Sequence, residues 1–147
     1  MNSSPAIPSS SLLGLVGNTP CIRLRRSLPD DISSNVEIWV KLEAQNPSGS
    51  VKARAALQII LDAESNGILR QGMTILDASS GNTGIAYAMI AAARGYKLIL
   101  CLPSNANPER KRILAAYGVD LVLTSPLEGT DGAIEKAREL ARENPNY

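Results

Sequence analysis

The amino-acid sequence predicts an α/β fold, a parallel sheet of about four strands with helices on both faces. Three observations predict it. Short β-prone runs alternate with longer helix-like runs four times along the chain. Glycines at 67, 72, 95 and 118 punctuate that alternation. The segment Ser79-Ser80-Gly81-Asn82-Thr83-Gly84 joins a β-prone run to an alanine-rich one, as a strand-to-helix turn does. Repeated βα units build a parallel sheet with right-handed crossovers, and ligands bind outside the carboxyl ends of its strands.

In chain order, residues 1–11 are rich in serine and proline. They lack both a basic n-region and an apolar h-region, so they read as an arm and not as a signal peptide. Residues 11–16 suit one helical turn, and Gly17-Asn18-Thr19-Pro20 is a turn. Residues 21–24 alternate like a strand, and 28–35 read as loop. Over 36–42, Val36, Ile38, Val40 and Leu42 share one face, opposite Glu37, Trp39 and Lys41. The polar turn Asn46-Pro47-Ser48-Gly49-Ser50 feeds a helix over 51–65. A strand over 73–77 leads through the serine- and glycine-rich segment to a helix over 85–93. That helix is apolar almost all round, which marks a buried one, and Gly95 ends it. A strand over 97–102 closes at Pro103. Asn107-Pro108-Glu109 is a helix start, with an N-cap, a proline in the first turn and an acid at the positive helix end. A strand over 119–123 follows, and a last helix over 131–143 carries i,i+3 and i,i+4 charges on a solvated face. The expected division is an arm and strand over 1–35 and an α/β domain over 36–147.

Composition excludes several function classes. The 147 residues are 44% hydrophobic and 20% charged with net charge +1, and no basic run suggests a nucleic-acid or membrane partner. No apolar stretch reaches the ~18 residues of a membrane span. Two cysteines, Cys21 and Cys101, are too few and too far apart for a disulfide framework or a metal site. Their apolar neighbours predict buried, reduced thiols in a cytoplasmic protein. The chain has no histidine, which removes Ser-His and Cys-His dyads. Chemistry is left to lysine, carboxylates, hydroxyls or a borrowed cofactor.

Two features answer that requirement. The loop at 79–84 combines two glycines, which let a ligand approach the backbone, with hydroxyl and amide side chains at a positive helix end. It suits a carboxylate or a phosphate, and equally a helix cap that binds nothing. Lys52 stands in the first turn of its helix, in line with Ala56, Ile59 and Ala63, while Arg54 shares a stripe with Gln58, Asp62 and Ser65. This spacing places Lys52 beside the core and Arg54 in water. A half-buried amine at a positive helix end has a depressed pKa and becomes a nucleophile, typically for a Schiff base; the plainer alternative is a lysine that snorkels to solvent. Both polar turns, at 46–50 and 79–84, follow strands, so they are expected to face one crevice. An amine and an anion pocket together suit pyridoxal phosphate and an amino acid.

At this point the motifs carry a resemblance. Gly17-Asn18-Thr19-Pro20, Lys41-Leu42-Glu43, Asn46-Pro47-Ser48-Gly49-Ser50-Val51-Lys52 and Ser80-Gly81-Asn82-Thr83-Gly84-Ile85 resemble the cysteine synthase family of pyridoxal-phosphate-dependent β-replacement enzymes. Pro108-Glu109-Arg110 and Gly132-Ala133-Ile134 continue it. The resemblance implies the small amino-terminal domain of a fold type II enzyme, with pyridoxal 5'-phosphate as cofactor. It implies that Lys52 forms the Schiff base and takes the substrate α-proton, that Asn82 hydrogen-bonds the cofactor's phenolic oxygen, and that Ser79, Ser80, Gly81 and Thr83 hold the substrate carboxylate. The implied reaction makes cysteine from an activated serine, O-acetylserine, and sulfide, by way of an aminoacrylate. Condensation with homocysteine, as in cystathionine β-synthase cores, and a non-catalytic fragment or pseudoenzyme are the alternatives. A cytoplasmic homodimer is the implied setting. Two departures stand out: Ala53 where the family has aspartate, and Ala78-Ser79 where it has proline-threonine. The family's second domain, with its cofactor-phosphate loop, is not in these 147 residues. The resemblance therefore implies an amino-terminal half that by itself binds cofactor weakly and has no useful cysteine synthase activity.

Overall fold

A computed structural model describes residues 11–25 and 35–147. The arm and the 28–35 loop expected from the sequence lie outside the described residues, apart from Ser11 and Asn35. Three strands form a parallel sheet in the order β3-β4-β5: β3 (Thr74–Ala78), β4 (Lys97–Pro103) and β5 (Asp120–Thr124). Helix α1 (Lys52–Ser65) precedes β3, α2 (Asn82–Arg94) links β3 to β4, α3 (Pro108–Ala116) links β4 to β5, and α4 (Gly129–Glu143) follows. The predicted α/β class holds, with three parallel strands among the described residues where about four were expected.

The fourth candidate takes a different partner. Within 36–42 only Trp39–Lys41 is extended (β2), and it pairs antiparallel with β1 (Cys21–Arg23) in a separate two-stranded sheet. Alternation reveals a strand but carries no information about direction or partner. Cys21 on this ribbon is exposed, contrary to the expected burial, whereas Cys101 on β4 is buried.

Core packing follows from β4, whose residues from Leu98 onward are nearly all buried. Leu98, Leu100 and Leu102 pack with Ala86, Met89 and Ile90 of α2 and Leu114 of α3 on one face. α4 covers the other face, against all three strands. α1 lies outside α2 and buries Ala53, Ala56, Leu57 and Ile60. Leu13, in a 3₁₀ turn over Leu12–Leu15, joins the same core. Helix ends obey their local chemistry. Gly95 closes α2 at φ 75°, and the Asn107 Oδ1 accepts the N–H groups of Glu109 and Arg110 at 2.8 and 3.4 Å. No helix among the described residues is long and apolar enough to cross a membrane.

One ion pair sets how α1 lies on α2. Glu64, in the last turn of α1, accepts from Arg94 Nε at 2.6 Å and Nη2 at 2.5 Å, and from the Tyr96 hydroxyl at 2.8 Å. The two carboxyl-terminal ends are therefore side by side. Lys52 begins α1 twelve residues before Glu64, and Asn82 begins α2 twelve residues before Arg94. Both helices thus run back about 18 Å from the same pair, at 1.5 Å per residue. Their amino-terminal ends lie at one end of the helix pair.

Candidate active site

The loop after β3 is built by its first serine. Ser79 Oγ accepts the N–H of Gly84 at 3.0 Å and of Gly81 at 3.4 Å, which caps α2 from outside the helix. Gly84 is obligatory on space alone: a Cβ there would sit 2.8 Å from the Ser79 carbonyl oxygen and 3.1 Å from Leu100 Cδ1. The loop is thereby pressed onto β4. In an α-helix the first N–H groups have no intrahelical acceptor, so those of Asn82 and Thr83 face outward at the positive end of the dipole. Asn82 is exposed and Thr83 half-buried. From behind, Arg110 in the first turn of α3 donates from Nη1 to the Ser80 carbonyl at 3.3 Å, which brings a guanidinium against the loop. Ser79, Ser80, Gly81, Asn82 and Thr83 thus form one continuous surface.

Lys52 departs from its expected setting. It is exposed at the first position of α1, where its N–H donates to Ser50 Oγ at 3.2 Å. The core face of α1 is instead Ala53, Ala56, Leu57 and Ile60, and Ile59, expected to lie inside, is 53% exposed. Burial is therefore not what prepares this amine. The turn at 46–50 also follows no strand of the parallel sheet. What places Lys52 and the 79–84 loop at one end of the fold is the alignment of α1 with α2, not two adjacent strand ends. Ala53 is fully buried, so a methyl sits without cost where a carboxylate needs a partner.

Arg54, expected in water, is held in a cluster the sequence analysis missed. Its Nε donates to Glu43 Oε2 at 2.8 Å and its Nη2 to Glu43 Oε1 at 2.9 Å. The same carboxylate accepts from the Thr19 hydroxyl at 2.8 Å and from Asn46 Nδ2 at 2.8 Å. Asn46 Oδ1 accepts the Gly17 N–H at 2.9 Å, and Lys41 Nζ donates to the Thr19 carbonyl. The Arg54 guanidinium, with the Thr19 hydroxyl second, holds the Glu43 carboxyl down at about 2, and Glu43 in turn raises the Arg54 pKa. The available signal was that Glu43, Thr19 and Asn46 each sit in a singled-out motif; helical periodicity alone cannot show that those motifs meet.

The donor set fits pyridoxal phosphate at its aldehyde and ring. The primary amine of Lys52 is accessible, and the Asn82 amide is exposed at the same end of the fold. The nearby helix start offers N–H groups and hydroxyls to a carboxylate.

The chain is similar to known proteins along most of its length. The family model described as pyridoxal-phosphate dependent enzyme matches residues 12–147. A cysteine synthase of Aquifex aeolicus is 53% identical over 135 residues, which are 92% of this chain and 41% of that protein. A probable cysteine synthase of Bacillus subtilis is 51% identical over 132 residues, 90% of this chain and 42% of that protein. Among solved structures, a cysteine synthase of Entamoeba histolytica superimposes with a TM-score of 0.88 at 36% identity, covering 99% of this chain and 44% of that one. The chain spans about two fifths of the length of these relatives.

Proposed function

This chain belongs to the pyridoxal-phosphate-dependent enzymes, and from that premise we propose that it supplies the lysine and the carboxylate-binding loop of a β-replacement that makes cysteine from O-acetylserine and sulfide. The observation that carries the reading is the shared end of α1 and α2. An accessible amine, Lys52, and the helix start after Ser79–Gly81 lie at that same end, which supports a site shared between them. The names of the similar cysteine synthases support cysteine as the product.

Pyridoxal phosphate, when bound, supplies the electron sink for loss of the α-proton and the β-substituent. Lys52 would hold the cofactor's aldehyde carbon through Nζ. The same nitrogen, when free, would take the substrate α-proton. A lysine amine can serve as such a base. Asn82 donates to the ring oxygen. The Ser80 and Thr83 hydroxyls and the backbone at Gly81 hold the substrate carboxylate at the positive helix end. Ser79 has two tasks: its oxygen accepts the Gly84 N–H, and its own proton is directed to the carboxylate.

In the same reading the α/β unit over 36–147 is the domain that carries the site, and the protein is a cytoplasmic homodimer. An exposed free thiol at Cys21 fits a reducing compartment.

The test is absorbance of the protein with pyridoxal phosphate, followed by borohydride reduction and peptide mass mapping, beside an assay with O-acetylserine and sulfide. The modified residue is expected to be Lys52, and Lys52→Ala is expected to lose the linkage and, in the full-length protein, turnover. A cofactor linked to another lysine in the wild-type chain, or normal turnover in Lys52→Ala, overturns the assignment.

A further inference from the structure

We propose that the Glu43–Arg54 pair is a positioning device for Lys52, clamping the first turn of α1 so that the amine is presented at a fixed angle. The inference rests on the assignment of Lys52 above.

Arg54 lies two residues beyond Lys52, so at 100° per residue the two side chains leave α1 on nearly opposite sides. Lys52 is exposed at the start of α1. Arg54 is bonded through both edges of its fork to one carboxylate, and its Nη2 also reaches the Thr19 hydroxyl at 3.2 Å. That carboxylate is in turn fixed by two buried groups, Thr19 and Asn46. Asn46 ties the cluster to the turn that leads into α1, through the Glu43 carbonyl at 2.9 Å and the Gly17 N–H at 2.9 Å.

Gly17 completes the clamp. Its φ of +87° favours glycine, and a Cβ there would stand 3.0 Å from Arg54 Nη1. Residues from three separated stretches, 17–19, 41–46 and 54, thus converge on the side of α1 away from Lys52.

The lever explains why a clamp is needed. A helix side chain reaches about 6 Å from the axis, so a rotation of about 10° carries its end roughly 1 Å. A displacement of that size costs about a hundredfold in a reaction that depends on alignment. The exposed Lys52 side chain adds no packing against such a rotation, and in its own turn the core face offers only the small methyl of Ala53. The bidentate pair resists it because both Arg54 nitrogens would have to leave the carboxylate together.

The test measures the rate of Lys52 modification by pyridoxal phosphate, trapped with borohydride and located by mass mapping, as a function of pH. Variants are Arg54→Met, Arg54→Lys and the milder Glu43→Gln. Ile60→Val, a core change farther along the same helix, serves as a control for lost stability, and all are compared where circular dichroism shows them folded. Arg54→Met and Glu43→Gln are expected to slow modification at Lys52 about tenfold or more and to spread it to other lysines, with the pH midpoint unmoved. Arg54→Lys keeps the charge but not the fork and is expected to be nearly as slow. Ile60→Val is expected to react like wild type.

Wild-type-like rates in Arg54→Met and Glu43→Gln overturn the proposal. So does a moved pH midpoint restored by Arg54→Lys, which would mean that Arg54 acts on Lys52 by charge. An equal loss in Ile60→Val would reduce the clamp to general stability and overturn it as well. If the wild-type chain is not modified at Lys52, the assignment of the lysine itself fails, and this inference falls with it.

Discussion

Arg94 closes a two-point bond on Glu64 across the ends of two adjacent helices, Nε to Oε1 at 2.6 Å and Nη2 to Oε2 at 2.5 Å. The carboxylate side chain is 8% exposed and the guanidinium 16%. A buried pair of this kind is costly to break from one side, because the remaining charge has no water to return to. Arg94→Met is expected to lower unfolding free energy by about 3–5 kcal/mol. Glu64→Gln, which keeps an acceptor for Tyr96, is expected to cost less. Urea titration with an unchanged m-value checks both. A loss under about 1 kcal/mol in Arg94→Met would mean that the pair does not hold α1 on α2.

Gly84→Ala is the sharpest steric test of the loop. The added carbon would meet the Ser79 carbonyl at 2.8 Å, a backbone atom that cannot swing aside. The expected cost is about 1–3 kcal/mol, the range for overpacking a close-packed site. Because the strain falls on Ser79, pyridoxal-phosphate-dependent turnover is expected to fall further than stability explains. Thermal unfolding and steady-state kinetics of the same variant separate the two.

Ser79 and Thr83 are expected to fail differently. Ser79→Ala removes the oxygen that caps Gly81 and Gly84, at about 1 kcal/mol of stability. Thr83 is half-buried and its hydroxyl faces the ligand side in the reading above. Thr83→Ala is expected to leave the melting temperature within a degree or two of wild type, while raising KM for the amino acid about tenfold, the loss of one good hydrogen bond to a charged group. A Thr83→Ala protein with unchanged KM would remove Thr83 from the carboxylate site.

Much of this was legible in the residues. Asn107 reads as a cap and is one, Gly95 ends α2 where its freedom at positive φ is needed, and the apolar run after Gly84 is the buried helix it looks like. These features are local, and a few neighbouring residues decide them. The misplacements are all non-local. Val36, Ile38, Val40 and Leu42 alternate, yet nothing in them reveals that Val40 will face Ile22 across an antiparallel ladder. Lys52 reads as half-buried because alanines line its stripe, but alanine fits either face of a helix. The true core face, through Leu57 and Ile60, is rotated away from Ile59. Arg54 belongs to the polar stripe, and its partner Glu43, eleven residues earlier, is reached only after a 3₁₀ turn over Glu43–Gln45. Motif resemblance brought the right stretches together, and geometry then showed that several of them serve to hold Arg54.

The last prediction concerns acid. Glu43 titrates at about 2 in the folded protein, against an ordinary value of 4.5, because the Arg54 guanidinium first and the Thr19 hydroxyl second favour its ionised form, with Asn46 adding to them. A carboxyl whose folded pKa lies below its unfolded one binds fewer protons when folded, so its stabilising contribution is complete above the unfolded pKa and disappears as pH falls through the folded one. The window for Glu43 is therefore from 4.5 down to about 2. Wild type and Glu43→Gln are expected to differ most in urea midpoint above 4.5, and the gap is expected to close steadily toward about 2. The side chains of this pair are 39% and 22% exposed, so added salt is expected to narrow the gap at neutral pH without removing it. A gap that stays constant through the window would show that Glu43 contributes by shape and hydrogen-bond count, with no part played by its charge.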